Sequence, residues 1–380
     1  MSQTISGSQN TSTGMNAAAY AAGIRDVIVL ELKQRLRSRG WYIMLGIWFL
    51  LTALVTWLTW ASWNASQAYR TQGPDFGYVA GPTGPGSMIF EVVLAFVLLF
   101  ALLVAPALSA NAINGDRSGG TLAILQVTLL TPGQILWGKF FAAWLAALAF
   151  LVTSTPFLIF GVVQGGLTPG HVIVSLLMLT VEVGIVCAVG VGISALTARP
   201  LFSIVTTYLA VAALVFGTVI SFGLGTGLTQ GTVMANQPNY PNSSPLVPEG
   251  PSAPPAYTCS GPLQEQRVPR TERVAWLLAM NPYVVVADAI PYPVRTGGDV
   301  FSGTGTLEGI SQLARHAVAG PEGSYTCANG EPQDPYLSQT TPMWPLGLGL
   351  QLIVAGLLIW LGWRSLLTPA RKLARGTRIA

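Results

Sequence analysis

Charge is what this chain has least of. Of its 380 residues only 9% are Asp, Glu, Lys or Arg, against 51% hydrophobic, and so little charge cannot keep a globular surface wet. A soluble domain is excluded. Histidine is almost missing too: His171 and His316 are the whole complement, neither with a neighbour at ligand spacing. No His-Glu-x-x-His, paired-cysteine zinc pattern or Gly-x-Ser-x-Gly elbow occurs, so neither a catalytic residue nor a metal site is expected in this chain. A formal net charge of +4, spread beside apolar runs, is too small for a nucleic-acid surface. Residues 1–23, rich in Ser, Thr, Asn, Gln and Ala, lack the pattern of a secretory signal and read as a disordered cytoplasmic tail.

What the chain does have is long apolar runs. The expected architecture is an all-α polytopic membrane protein with six transmembrane helices: Trp41 to Trp63, Met88 to Ala110, Ile135 or Trp137 to Phe160, His171 to Leu196, Leu201 to about Phe222, and Met343 to Trp363. Each is long enough to cross a bilayer core. Trp41 and Tyr42 at one end of the first run, and Trp57, Trp60 and Trp63 at the other, suit interfacial belts. Thr153, Ser154 and Thr155 before Pro156 predict a kink in the third. Ahead of the spans, residues 24–40 set Ile24, Ile28, Leu32 and Leu36 at i+4 spacing among Arg25, Lys33, Arg37 and Arg39, the pattern of a helix lying in the membrane interface.

Residues 223–342 turn to Pro, Gly, Ser, Asn and charged residues and are expected outside the bilayer as one extracytoplasmic region. Within it Val274 to Ile290 is apolar but short and broken by Asn281-Pro282, predicting two half-helices at or dipping into the outer leaflet. Cys259 and Cys327 share this region, and if it lies outside they can form a disulfide. Basic residues set the orientation: Arg25, Lys33, Arg35, Arg37, Arg39, Arg117, Lys139, Arg199 and the tail from Arg364 through Arg378 fall on one side. The short loops opposite hold only Arg70. By the positive-inside rule both termini, including the basic tail 364–380, are cytoplasmic.

Between the second and third spans lies residues 111–136, a polar-rimmed segment. Asp116, Arg117 and Ser118 precede Gly119-Gly120-Thr121, an apolar stretch containing Leu122 and Leu125 follows, and Thr131-Pro132-Gly133 ends it. Gly133 to Lys139 satisfies the first seven positions of a P-loop, but Phe140 stands where a magnesium-binding hydroxyl is required, and a proline turn replaces the preceding strand. Nucleotide binding by this segment is rejected. The order of Asp116, Arg117, Gly120, Thr121, Leu122, Leu125, Thr131, Pro132, Gly138 and Lys139 is similar to the intracellular loop of type-two ABC exporter permeases; Ala123 stands where that family often has an acidic residue.

The resemblance implies that 121–130 is a coupling helix docking into a separate ABC ATPase subunit, which would carry the ATP and magnesium, with no cofactor in this chain. It implies that 24–40, with Glu31, Arg35 and Arg37, is an elbow helix, and that the pore needs a second permease copy or a paralogue. The expected function is then an exporter permease in the cytoplasmic membrane, in contact with lipid. The alternative is a membrane scaffold or receptor subunit whose external region binds a protein partner. Glu182, mid-way along the fourth span, is the main candidate for the substrate path, because an ionised side chain there costs roughly 2.5–3.5 kcal/mol. Glu91, nearer the outer boundary, is the second. The alternative role for Glu182 is a protonated or hydrogen-bonded side chain holding two helices together.

Overall fold

A computed structural model describes residues 17–72, 85–119, 130–239, 257–292, 305–333 and 342–367, for 68–72 the backbone only. The expected coupling helix, with Gly120, Thr121, Leu122 and Leu125, falls outside the described residues, as do the first sixteen residues and the tail after Leu367.

Among the described residues six helices are long and apolar enough to cross a membrane, so this is a multi-pass membrane protein. They are α2 (Arg39–Gln72), α3 (Gly86–Ser109), α5 (Pro132–Val163), α6 (Pro169–Leu196), a fifth built from α7 (Pro200–Ala212), a π-turn (Ala213–Gly217) and α8 (Thr218–Leu228), and α12 (Trp344–Leu367). Helix α1 (Ala17–Leu36) precedes them and α4 (Asn114–Ser118) follows α3. The helix expected from Ile24 therefore begins at Ala17, so 17–23 is not the disordered tail that its composition suggested: Ala17, Ala18, Ala19, Ala21 and Ala22 are strong helix formers.

Several helices start where the sequence writes X-Pro. Pro132, Pro169, Pro200 and Pro282 each stand at the first turn, where the missing N–H costs nothing. Thr131 and Thr168 cap two of them, accepting from the backbone N–H of Gln134 and His171 at 3.3 and 3.2 Å. Within α5, the Thr153 and Ser154 hydroxyls donate to Ala149 and Phe150 carbonyls one turn back, and the Trp48 indole N–H of α2 donates to Phe150 O at 3.0 Å. The hydroxyl-rich turn before Pro156 is thereby tied to the first span.

Helix α3 is the axis of the bundle. Of its most apolar window 61% is buried, against 17% for the fifth span and 22% for α2, so the last two present most of their surface to whatever surrounds the protein. Helix α3 packs on α5 and α6, and α6 on α12. Gly192 of α6 lies against the Leu358 backbone of α12, where an added Cβ would meet Leu358 C at 2.8 Å.

Beyond the fifth span comes a feature the sequence reading lacks: an antiparallel ribbon of β1 (Gln230–Asn239) and β2 (Thr258–Pro269), with a bulge between Ala235 and Gln237. One residue, Thr229, separates it from α8. Cys259 on β2 is joined to Cys327 by a disulfide. After the ribbon, α9 (Trp276–Ala279) and α10 (Pro282–Ala289) break at Asn281, the break that Asn281-Pro282 predicts. The second of the two lies inside the bundle. Val285, Val286 and Ala287 are fully buried in the main core, and α10 packs against α6 and α12. The amphipathic α11 (Thr306–Ser324) lies over α10.

The Asn281 side chain serves two elements: Oδ1 accepts from Tyr283 N–H at 2.9 Å, capping α10, and Nδ2 donates to Val215 O at 2.8 Å inside the π-turn. A π-turn misaligns a backbone carbonyl, and this amide satisfies it.

The disulfide bears a prediction. It closes a loop of 68 residues, for which chain-entropy reasoning gives a stabilisation of about 4 kcal/mol. Cys259→Ser/Cys327→Ser is expected to lower the melting temperature of the purified protein, and reduction of the wild type should reproduce the shift. Equal melting temperatures would show that the ribbon contributes nothing to global stability.

Candidate functional site: the polar junction between the second and third spans

Polar side chains gather where α1, α4 and the start of α5 meet the ends of α3 and α6. The centre is Lys139 on the second turn of α5, 4% exposed. Its ammonium is paired with Glu31 of α1 and, at 2.5 Å, with Asp116 of α4. One buried cation thus joins three elements. Close packing allows it: at Gly138 an added Cβ would lie 2.6 Å from Val27 Cβ, so glycine is what lets α1 cross α5 at this height.

Around Lys139 each neighbouring helix end is tied down. Asp116 and Arg117 fall on the short α4, and Arg117 donates to Thr197 O, the C-cap of α6, at 2.7 Å, a cation at the negative end of a helix. Asn114 Nδ2 donates to Thr197 Oγ1 at 2.7 Å, and Ser194 Oγ accepts from Ile113 and Asn114 N–H at 3.1 and 3.2 Å. Arg35 donates to Leu108 O at the end of α3, 3.1 Å; burial pulls its guanidinium below the ordinary value, while Glu31 acts the other way. Arg37 points outward and is exposed. On the far side of the loop Thr131 and Gln134 form a capping box, and Gln134 Nε2 donates to Tyr20 O of α1 at 3.2 Å. Pro132 is the first residue of α5.

Of the residues singled out in the sequence, the structure therefore brings together Asp116, Arg117, Thr131, Pro132, Glu31 and Arg35, and leaves Arg37 apart. Lys139 is the member whose weight was missed. Its place in the loop motif was visible; its pairing with a carboxylate 108 positions earlier was not, because no local spacing encodes it. Asn114, Ser194 and Thr197 were missed for the same reason.

The two intramembrane carboxylates lie elsewhere. Glu91 Oε2 accepts from Leu307 and Glu308 N–H at 2.9 and 3.2 Å, so this 2% exposed carboxylate sits on the N-terminus of α11, where helix dipoles favour negative charge. Glu182 is fully buried between α6 and α12, facing Gln351. Asp288 of α10, unremarked in the sequence, is a hub at that same end as Glu91. It accepts from Arg315 Nε at 2.6 Å, Ser311 Oγ at 3.1 Å, and the Met343 and Trp344 N–H groups that open α12 at 2.6 and 3.0 Å.

Among the described residues no group of three or more His, Cys, Asp or Glu could hold a metal ion. The chain matches no protein-family model and no curated protein.

Proposed function

We propose that the chain is the membrane-spanning subunit of an exporter of the ABC type, driven by ATP hydrolysis on a separate subunit. The observation that carries this reading is the double pairing of Lys139. A loop that takes a push must pass it on, and Lys139 ties α4, on the loop, both to α5 and to α1. Elements locked by a buried ion pair move as one body. Residues 121–130, which the family resemblance assigns to the ATPase cleft, follow α4 in the chain and precede the capped start of α5.

In this reading ATP and magnesium bind the partner, whose closure displaces the loop, and α1 and the first turns of α5 follow. Arg117 and Asn114 carry the displacement to the end of α6, and Ser203, whose hydroxyl donates to Ala110 O at 2.5 Å, carries it to the fifth span. The loop end then faces the cytosol of a cell membrane, and the ribbon end faces outward. The pore is completed by a second copy of this chain or a paralogue. Glu182 marks the polar point of the interior, and Glu91 holds the outer helix α11.

Purification from native membranes tests the reading: a subunit that hydrolyses ATP is expected to accompany the chain in stoichiometric amount. Deleting residues 123–129 should abolish the stimulated ATPase activity and leave membrane insertion intact. No accompanying ATPase, or normal stimulation in the deletion, would overturn it. The second reading, a scaffold or receptor, has one observation in its favour, the disulfide-tied ribbon that continues from the fifth span with a single intervening residue. It predicts a stable external protein partner and no ATPase.

A further inference from the structure

Three buried oxygens in the interior of the bundle have no hydrogen-bond donor among the described residues: Oε1 and Oε2 of Glu182 and Oε1 of Gln351. Both side chains are sealed, at 0% and 2% exposure. The Gln351 amide faces the Glu182 carboxyl, but no formed hydrogen bond reaches that carboxyl, and the amide's Nε2 is engaged by Met280 O at 3.0 Å. Met280 is the residue where α9 stops before the Asn281 break. Interrupted helices buried among spans are where membrane proteins commonly place ion sites.

An ionised carboxylate is acceptor-only and needs donors or a cation once it is taken out of water. The helices packed on α6 offer no free cation, and the one amide that faces the carboxyl, that of Gln351, gives its Nε2 to Met280 O. Their charged groups are Glu91 on α3, Lys139 on α5, Asp288 on α10 and Arg364 on α12. Glu91 sits on the N-terminus of α11, Lys139 is held by Glu31 and Asp116, Asp288 binds Arg315, and Arg364 lies over the Trp360 ring. A bound metal ion fits poorly, because hard cations take about six or more oxygen ligands and only three oxygens here lack a partner. A proton needs one oxygen to sit on and one to point at. Three oxygens are enough for that.

We propose that Glu182 is a proton-binding site, held as the neutral acid between α6 and α12 with its O–H donating to the amide oxygen of Gln351. The proton removes the charge, turns one orphaned acceptor into a donor and satisfies a second. Glu182 and Gln351 are then a polar clasp between the fourth and sixth spans, and the site reaches bulk water only when those helices part. None of this depends on the transport reading.

Infrared spectroscopy of the full chain in lipid nanodiscs tests the site without any ATPase. At neutral pH the wild type minus Glu182→Gln difference is expected to contain the carbonyl band of a protonated carboxyl; a carboxylate signature in its place would overturn the proposal. Gln351→Leu keeps the acid and removes its acceptor, so it should move that band to higher frequency, and an unmoved band would contradict the pairing. The folded chain holds a proton that the unfolded chain releases above the ordinary carboxylate range, so stability should fall as pH rises. The melting temperature of the wild type should drop from mildly acidic pH upward relative to that of Glu182→Gln; parallel profiles would count against the site. Exchanging sodium for potassium should change nothing, and a sodium-dependent melting temperature lost in Glu182→Gln would assign the site to a metal ion instead.

Discussion

Lys139→Met is expected to destabilise the protein by roughly 3–5 kcal/mol, the range for removing one partner of a buried ion pair, and to uncouple it. With the ammonium gone, Glu31 and Asp116, whose side chains are 18% and 22% exposed, face each other with no cation between them. Like charges at that distance repel and neither carboxylate is freely hydrated. The combined variant Lys139→Met, Glu31→Gln, Asp116→Asn removes the repulsion and should recover most of the melting temperature, since an ion cluster replaced by neutral groups is often tolerated. Recovery of stability without recovery of ATPase stimulation is the result that separates transmission from packing. If the single variant melts like the wild type, Lys139 is not the tie described above.

Asp288→Ala should be about as costly, again roughly 3–5 kcal/mol, and at the opposite end of the bundle. The substitution takes one carboxylate partner from Arg315 and removes the acceptor from the N–H groups of Met343 and Trp344, where α12 begins. An unsatisfied buried group costs about 1–3 kcal/mol, and the N-terminus of α12 also loses a favourable charge near its dipole. Asp288→Ala/Arg315→Met should be less damaged than Asp288→Ala, because the guanidinium that the carboxylate held is removed together with it. Hydrogen exchange would locate the effect, with the amides of Met343 and Trp344 and the first turn of α12 losing protection while those of α5 keep it. Uniform loss along the chain would mean that Asp288 supports the whole bundle rather than the attachment of the sixth span.

These two residues show where the sequence is legible and where it is not. Apolar runs of bilayer length locate the six spans because burial in lipid requires almost every position to be apolar, a signal spread over some twenty residues. The break at Asn281 is legible because proline and short polar caps act locally, whereas spans read from apolar residues alone begin after the prolines Pro132, Pro169 and Pro200 that open the helices. Lys139 and Asp288 are different. Each earns its importance from partners on other helices, and one lysine at the edge of a span looks like any other interfacial cation.

The ribbon escaped for a related reason. Gln230–Asn239 and Thr258–Pro269 are mostly exposed, so they carry little of the alternation that marks a strand, and Pro238, Pro262 and Pro269 read as loop. Their only buried apolar patch is Val233, Ala235 and Val268 with Ala328, assembled from three separate segments. The π-turn at Ala213–Gly217 left no trace either, since ALVFG is ordinary span sequence.

A separate ATPase can reach the junction around Lys139 only if that junction faces the cytosol. Ser118, exposed at the end of α4, is the position to probe. In a Ser118→Cys variant with Cys187 replaced by serine, a membrane-impermeant thiol reagent applied to intact cells should leave the new cysteine unmodified, and the same reagent should label it in inverted membrane vesicles. Labelling from outside intact cells would place the junction on the wrong side of the membrane and contradict the account.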